Sequence, residues 1–596
     1  MRRPAPAAIL LGSLSAFVAA VDLVRLFRPL PLLDPDPSWA LPRLVLGLAV
    51  AAGTAIAGGA AAGAFHLWAS RTRAAAAPTP ALGLSGAVLA ALAAAALLGG
   101  AAVRFAGLSR LPPSLWIDDL SLIAPSLSLA GSPADFANSI RPAPYGVAKP
   151  YGSVGVLYLE AFRASLRAFG TTIFGVRFLS AAAGVASIAT AWWLGRALLP
   201  RGGAALAAIL LSGLRWSLLM SRWGWNAIVL APAVDVAAIL LLRARSRKSA
   251  GLAAAAGLAA GLAAHLYLAG WVAAAALFLL AAWPLPREGR SRRPSPAIVS
   301  AYVAAFAIAV SPLFLFARGR VAPYFARASD HNVVREMRWA HSPMPAFAAA
   351  ADSIAAPWFK PDPFSHHDLP GRTRLGWLLG IPVALGLARA FARPEAELSA
   401  FLLCHAAAAL AASVAGGHAG VPNGYRFVYL AGAAAVAGAS GLMILAGLVA
   451  PRLRRASALA VVGLAFVGGA FAVRDALFDW PARRETFDGF HGQDTLIARA
   501  ALRWRRFGPV DLRHGLEHSS ITVGAVLRYG LDPERGPDPA GPPSPSRSFR
   551  IAAPDAARAP GERAVERVRD AFGRDWAVVL GRRSASGTEP LSRPDA

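Results

Sequence analysis

Residues 153–168 read SVGVLYLEAFRASLRA, and whether this stretch crosses a membrane decides how the rest of the chain is arranged. It is short for a span, since a helix needs about 20 residues to cross the hydrocarbon core. It also carries Glu160, Arg163 and Arg167, the two arginines at the i, i+4 spacing of one helix face. Charges at mid-bilayer are costly, so the stretch reads as an amphipathic helix lying on the membrane surface. One crossing more or fewer would move every later loop to the opposite side.

The surrounding sequence is that of a membrane protein. Of its 596 residues 56% are hydrophobic and only 16% charged, with a mean hydropathy of +0.48; soluble domains hold about 25% charged residues. Apolar runs recur at about 8–26, 42–66, 81–105, 176–197, 203–220, 226–242, 251–268, 270–284, 297–316, 375–392, 397–415, 427–448 and 456–473. The expectation is an all-α polytopic bundle of about 13 transmembrane helices. The start, MRRPAPAAILLGSLSAFVAAVDLVRLF, reads as an uncleaved first helix, because it lacks a convincing small-residue cleavage site and more spans follow.

A net charge of +27 would point to nucleic acid in a soluble protein. Here the arginines cluster between apolar runs, as RTR at 71–73, RARSRK at 243–248, REGRSRR at 287–293 and PRLRR at 451–455. That is the pattern of cytoplasmic loops facing anionic lipid, and it argues against a nucleic-acid partner. The single cysteine, Cys404, lies in an apolar run, which leaves no disulfide framework and no cysteine-based metal site.

With the N-terminus in the cytoplasm of a cell inner (plasma) membrane, every Arg-rich loop falls inside. The loops 106–175 and 317–374, the turns near 221–226 and 416–426, and the tail from about 474 fall outside. Three regions follow: an additional helix pair (1–80), a transmembrane catalytic unit (81–473) and an extracytoplasmic C-terminal region (474–596). The tail contains a helix-like AVERVRDAF at 564–572 and a strand-like WAVVLG at 576–581, which together suggest a small α/β domain.

The polar features of interest collect on the outer side. They are LWIDDL (115–120) with Asp118 and Asp119, AKPYG (148–152) with Lys149, SRWGWN (221–226) with Arg222, KPDPFSHHDLPG (360–371), and HAGVPNGYRF (418–427) with Arg426. A carboxylate can take the proton of an attacking hydroxyl or amine, and arginine or lysine can hold a phosphate and stabilise it as it leaves. Read singly, each has a plainer meaning. The acidic pair is also a helix-end feature, Lys149 a snorkelling anchor, and Arg222 part of an interfacial belt with Trp216, Trp223 and Trp225. His366 and His367, beside Asp362 and Asp368, lack the spacing of a closed metal set.

The order of the motifs adds what no single one supplies. The acidic pair is followed by KP and the amphipathic helix, then GVRFLSAAAG (175–184), GRALLPRGGAALAAILL (195–211), SRWGWN and GLAAHLYLAGW (261–271). PDPFSHHDLPGRTRLGWLLGI (361–381) and NGYRFVYLAG (423–432) come after. This order resembles the GT-C glycosyltransferases, and is most similar to the family 39 branch of protein O-mannosyltransferases and the lipid A aminoarabinose transferase. The resemblance covers about residues 100–450.

The resemblance implies a GT-C-type bundle, a polyprenyl-phosphate-linked sugar as donor, chemistry on the outer face, and inversion at the anomeric carbon. It makes Asp118 the candidate base and Asp119 its supporting acid, with Lys149, Arg222 and Arg426 at the donor phosphate. Asn226, His367 and Tyr425 lie within the matched motifs and are expected to line the substrate. The pair here is Asp-Asp where the family usually has Asp-Glu, and Asn226 stands where some relatives carry an acid, which weakens a metal-dependent reading. A divalent metal is left open as a cofactor, with no ligand set. The acceptor, whether protein, lipid or polysaccharide, does not follow. A transporter or flippase for an anionic lipid-linked substrate is the alternative, although its polar site would be expected at mid-span rather than in loops.

Overall fold

The computed structural model describes residues 81–129, 155–287, 290–292, 295–316, 333–362, 364–393, 396–416, 424–449, 453–514, 523, 526–528, 531 and 547–583. The spans expected at 8–26 and 42–66 and Lys149 lie outside the described residues, as do the side chains of Asp118 and Tyr425.

The described chain opens with α1 (Gly86–Phe105), then the short helices α2 (Ile117–Ser121) and α3 (Ile123–Leu127), then α4 (Val156–Phe169). The bundle continues with α5 (Ile173–Leu198), α6 (Gly203–Ser212), α7 (Arg215–Met220), α8 (Ala227–Arg247), α9 (Ala250–Ala264) and α10 (Ala269–Ala282). A small hairpin, β1 (Leu285–Arg287) and β2 (Arg290–Arg292), leads to α11 (Pro296–Phe316), α12 (Val333–Ala340) and α13 (Met344–Phe359). Then come α14 (Gly376–Ala392), α15 (Glu397–Ala415), a 3-10 segment (Gly424–Leu430), α16 (Ala431–Gly447) and α17 (Arg454–Arg474), which runs on through a π turn (Asp475–Asp479). Beyond it lie α18 (Arg484–Gly489), α19 (Gly492–Arg505) and the strands β3 (Val510–His514), β4 (Arg547–Ala552), β5 (Glu562–Arg569) and β6 (Asp575–Arg583).

Among the described residues, α1, α5, α8, α11, α15, α16 and α17 are long and apolar enough to cross a membrane, and α6, α9, α10 and α14 are shorter apolar helices. Apart from 203–220, each span expected from residue 81 onward has an apolar helix in its place, and the chain is an integral membrane protein. Small residues let these helices approach closely, as packing within lipid requires. Gly257 and Gly261, one turn apart on α9, face α11. A Cβ at Gly257 would lie 2.2 Å from the Tyr302 carbonyl, and one at Gly261 would lie 2.4 Å from Ala309 Cβ.

Two expectations are corrected. The run 203–220 is not one helix. It breaks between α6 and α7, where Gly213 meets α17 so closely that a Cβ would sit 2.3 Å from Gly469 Cα. The AVERVRDAF stretch is not helical either. Its charges repeat at a helical interval, but Glu562–Arg569 forms strand β5, paired antiparallel with β6. Arg567 and Arg569 both bond Asp575 across that pair, and Glu566 accepts from Arg503 and from Trp504 Nε1 on α19. Cross-strand partners of this kind outweigh local preference. The four-stranded sheet runs β3-β4-β6-β5, with β3 and β4 parallel, and α19 covers it through Ile497, Ala501 and Trp504. A small α/β unit thus stands at one end of the bundle.

The deciding segment forms α4, with Tyr158, Leu159, Phe162 and Leu166 buried on one face and Glu160 bridged to Arg163 at 2.5 Å. Gly155 at its start has no room for a Cβ against the His265 carbonyl at the end of α9. Its buried face shares a core with Leu115, Leu120 and Ile123 of the first loop and with Ala498, Val523 and Val526 of the tail. α4 therefore lies between the bundle end and the C-terminal unit.

Candidate active site

The acidic pair follows α1 by way of an irregular connection, residues 106–116, whose backbone carbonyls need donors. Two buried arginines, Arg222 and Arg177, supply them, and a third, Arg104, serves a neighbouring break. Arg222 donates to Val103 O and Ala106 O at 2.6 Å each, to Arg104 O at 3.3 Å and to Leu111 O at 3.4 Å. Arg177 donates to Leu108 O at 2.9 Å and Ser114 O at 2.6 Å. Arg104 reaches Gly100 O, Leu211 O, Ser212 O and Ser217 Oγ, and so fills the break between α6 and α7. Helix C-termini leave carbonyls without partners, and the Arg222 fork closes those of α1.

On this fastened loop, α2 carries Asp118 and Asp119. The Asp119 carboxylate is fully buried, within electrostatic reach of the Arg177 guanidinium and the Tyr158 hydroxyl. Tyr158 donates to Gly224 O at 3.1 Å, and burial, followed by the Asp119 charge, pushes its phenol well above the ordinary value. It stays a neutral donor. Arg499 of α19 also acts on Arg177, so the C-terminal unit contributes to the field around the acid.

Trp116 joins this loop to the others. Its ring stacks on His366 with centroids 3.9 Å apart and lies 5.4 Å from the His491 ring, while Phe490 meets it edge-on. Trp223 of the short turn stands 5.9 Å from His366 and 6.0 Å from His367. Residues from the first loop, the turn, the second loop and the start of the tail thus share one aromatic wall.

Beside it, Asp362 accepts from Arg374 at 2.9 Å, from the Gly424 and Phe364 amides at 3.0 Å each, and lies 3.3 Å from His367 Nδ1. Burial acts to raise its pKa, but the His367 hydrogen bond and charge, Arg374 and the Phe364 amide together hold it well below the carboxylate range. Trp216 Nε1 donates to Gly424 O at 2.9 Å, so the start of the 3-10 segment is held from both sides. Arg215 bonds Asp368 at 2.8 Å, Asp475 at 3.1 Å and the Thr373 carbonyl, tying the second loop to the end of α17.

A scan against protein-family models matches none, and a search of curated proteins finds no match. Solved structures do resemble the chain. ArnT from Cupriavidus metallidurans bound to undecaprenyl phosphate aligns with 86% of this chain and 100% of its own, at 14% identity and a TM-score of 0.46. The archaeal oligosaccharyltransferase AglB from Archaeoglobus fulgidus, in complex with an inhibitory peptide and a dolichol-phosphate, aligns with 77% of this chain and 61% of its own, at 16% identity and a TM-score of 0.41. The arabinofuranosyltransferase AftD from Mycobacteria aligns with 86% of this chain and 40% of its own, at 14% identity and a TM-score of 0.35.

Set against the expected site, the described geometry brings Asp119 and His367 to one end of the bundle, linked through Trp116, His366 and Trp223. Arg222 is used otherwise than expected: its two terminal nitrogens are taken up by four carbonyls, so it fastens the acidic loop instead of facing a phosphate. Asn226 is also a tie, donating to Leu266 O at 3.1 Å at the end of α9. Arg426 is half-buried, with Nη1 3.9 Å from the place a Gly416 Cβ would take. Sequence reasoning passed over Arg104 and Arg177. The signal was present, since an arginine inside an otherwise apolar helix is costly unless it has buried work.

Proposed function

We propose that the chain is a multi-pass glycosyltransferase of the GT-C type in the cell inner membrane. It transfers a sugar from a polyprenyl-phosphate-linked donor to a protein, lipid or polysaccharide acceptor, with its N-terminus cytoplasmic and its site extracytoplasmic. The observation that carries the reading is the buried Asp119 on a loop directly after a span, fastened by Arg177 and Arg222 and walled by Trp116 and His366. A donor anchored in the leaflet can raise its anomeric carbon only a short way, and the loop after α1 stands at that height.

In the reaction, the Asp118 carboxylate takes the proton of the acceptor hydroxyl or amine as that group attacks the anomeric carbon. The bond from carbon to phosphate oxygen breaks with inversion, and its electron pair leaves on the polyprenyl phosphate. Lys149 and Arg426 neutralise the departing charge. Asp119, paired electrostatically with Arg177, positions the short helix that carries the base.

The test is release of polyprenyl phosphate from polyprenyl-phosphate sugars by the purified protein in proteoliposomes with candidate acceptors. Asp118→Asn should slow turnover by about 100-fold or more, the usual weight of a general base. Near-normal transfer by this variant would overturn the mechanism.

A further inference from the structure

The opposite end of the bundle carries a feature that the transfer reaction does not use. Near the end of α5, Trp192 and Trp193 meet edge-on with ring centroids 5.0 Å apart. The Arg196 guanidinium lies 4.9 Å from the Trp192 ring and 5.5 Å from the Trp193 ring. Arg243, from the last turns of α8, lies 5.2 Å from the same Trp193 ring. Both arginines are exposed, and Trp193 is 42% exposed.

Another arginine at this end behaves differently. Arg245 spends its nitrogens on Leu280 O, Ala281 O and Trp283 O and pairs with Glu397 at 3.6 Å. Among the described residues, neither Arg196 nor Arg243 has a carboxylate or carbonyl partner of that kind. A guanidinium stacked on an indole face keeps its N–H edge open in the ring plane, in the fork that matches phosphate oxygens. Two such forks on one shared tryptophan form a prepared seat for a lipid phosphate, and tryptophan is a residue type that favours the membrane–water interface.

We infer that Trp192, Trp193, Arg196 and Arg243 form a binding site for the phosphodiester headgroup of an anionic phospholipid. The site does not depend on the glycosyltransferase reading. The two tryptophans set the arginines, and the arginines grip the phosphate. The acyl chains then follow the apolar outer surface of α5 and α8.

The test is native mass spectrometry of the whole protein released from nanodiscs containing equal phosphatidylglycerol and phosphatidylcholine. The wild type should retain phosphatidylglycerol in preference. The double variant Arg196→Gln/Arg243→Gln should lose that preference by roughly tenfold, given the weight of two basic side chains at an anionic surface. Trp193→Leu, which leaves every charge in place, should also weaken it. Arg201→Gln/Arg247→Gln removes the same charge from other exposed positions at this end and should leave the preference intact. An equal loss in that control would reduce the effect to general charge and overturn the site, as would unchanged retention in the first double variant. Displacement of the adducts by inorganic phosphate would assign the seat to a soluble anion and overturn the lipid.

Discussion

At the scale of single residues, the site is organised by side chains that serve backbone. Replacing Arg222 with methionine leaves the carbonyls at the end of α1 without their donors, and should cost about 3 kcal/mol, the order expected for several buried hydrogen bonds to a charged group. Thermal unfolding in detergent measures it. Arg222→Lys should recover only part, because an ammonium cannot fork to four carbonyls, and donor KM should change little in that variant. That Arg222 stands out was legible in the sequence, where it read as a belt residue or a phosphate contact. What it touches was not, because its partners are carbonyls that every residue possesses and no side-chain pattern marks. His366 gives a second prediction at this scale. Burial, then the nearby His367 and His491, push its pKa down to about 2. The unfolded imidazole takes a proton below about 6.5 and the folded one does not. Stability from this group is therefore complete above that pH and declines as pH falls, by at most about 1.4 kcal/mol per unit for one proton. Between pH 6.5 and 4.5 the wild type should lose stability more steeply than His366→Gln, and parallel curves would show that the imidazole is not held neutral.

At the scale of elements, the apolar helices were readable because each span must supply its own length of apolar residues. The amphipathic α4 was readable because its charges fall on one face. The break between α6 and α7 was hidden, since it is set by contact between Gly213 and Gly469, far apart in the chain. Strand β5 was hidden for a similar reason: its pairing with β6 lies outside the segment that imitates a helix. Gly213→Ala tests the first point. The added methyl must push α17 away from the break, and overpacking of this kind should cost roughly 1–3 kcal/mol. The same change at Gly463, which has nothing within 4 Å, should be nearly silent in thermal unfolding.

At the scale of the whole molecule, the two ends differ in kind. One carries the acidic loop, the aromatic wall and the sheet, and the other carries the arginine-rich connections. The proposed orientation predicts a labelling pattern. With the buried Cys404 replaced by serine, a cysteine introduced at Ala571 between β5 and β6 should react with a membrane-impermeant thiol reagent on intact cells lacking any outer barrier. One introduced at Ser246 should react only after permeabilisation. The reverse pattern would place the site in the cytoplasm and remove the proposed donor from its reach.

Arg215 holds Asp368 and Asp475 together, and this asymmetry has a consequence for how the sequence can drift. If either aspartate is lost, the guanidinium still has the other, and the pair that remains is neutral. If the arginine is lost, two carboxylates are stranded in a dry interior at one stroke, a far larger penalty. Among descendants of this chain, the arginine should be the last of the three to change, and each aspartate should be free to go only while its counterpart remains.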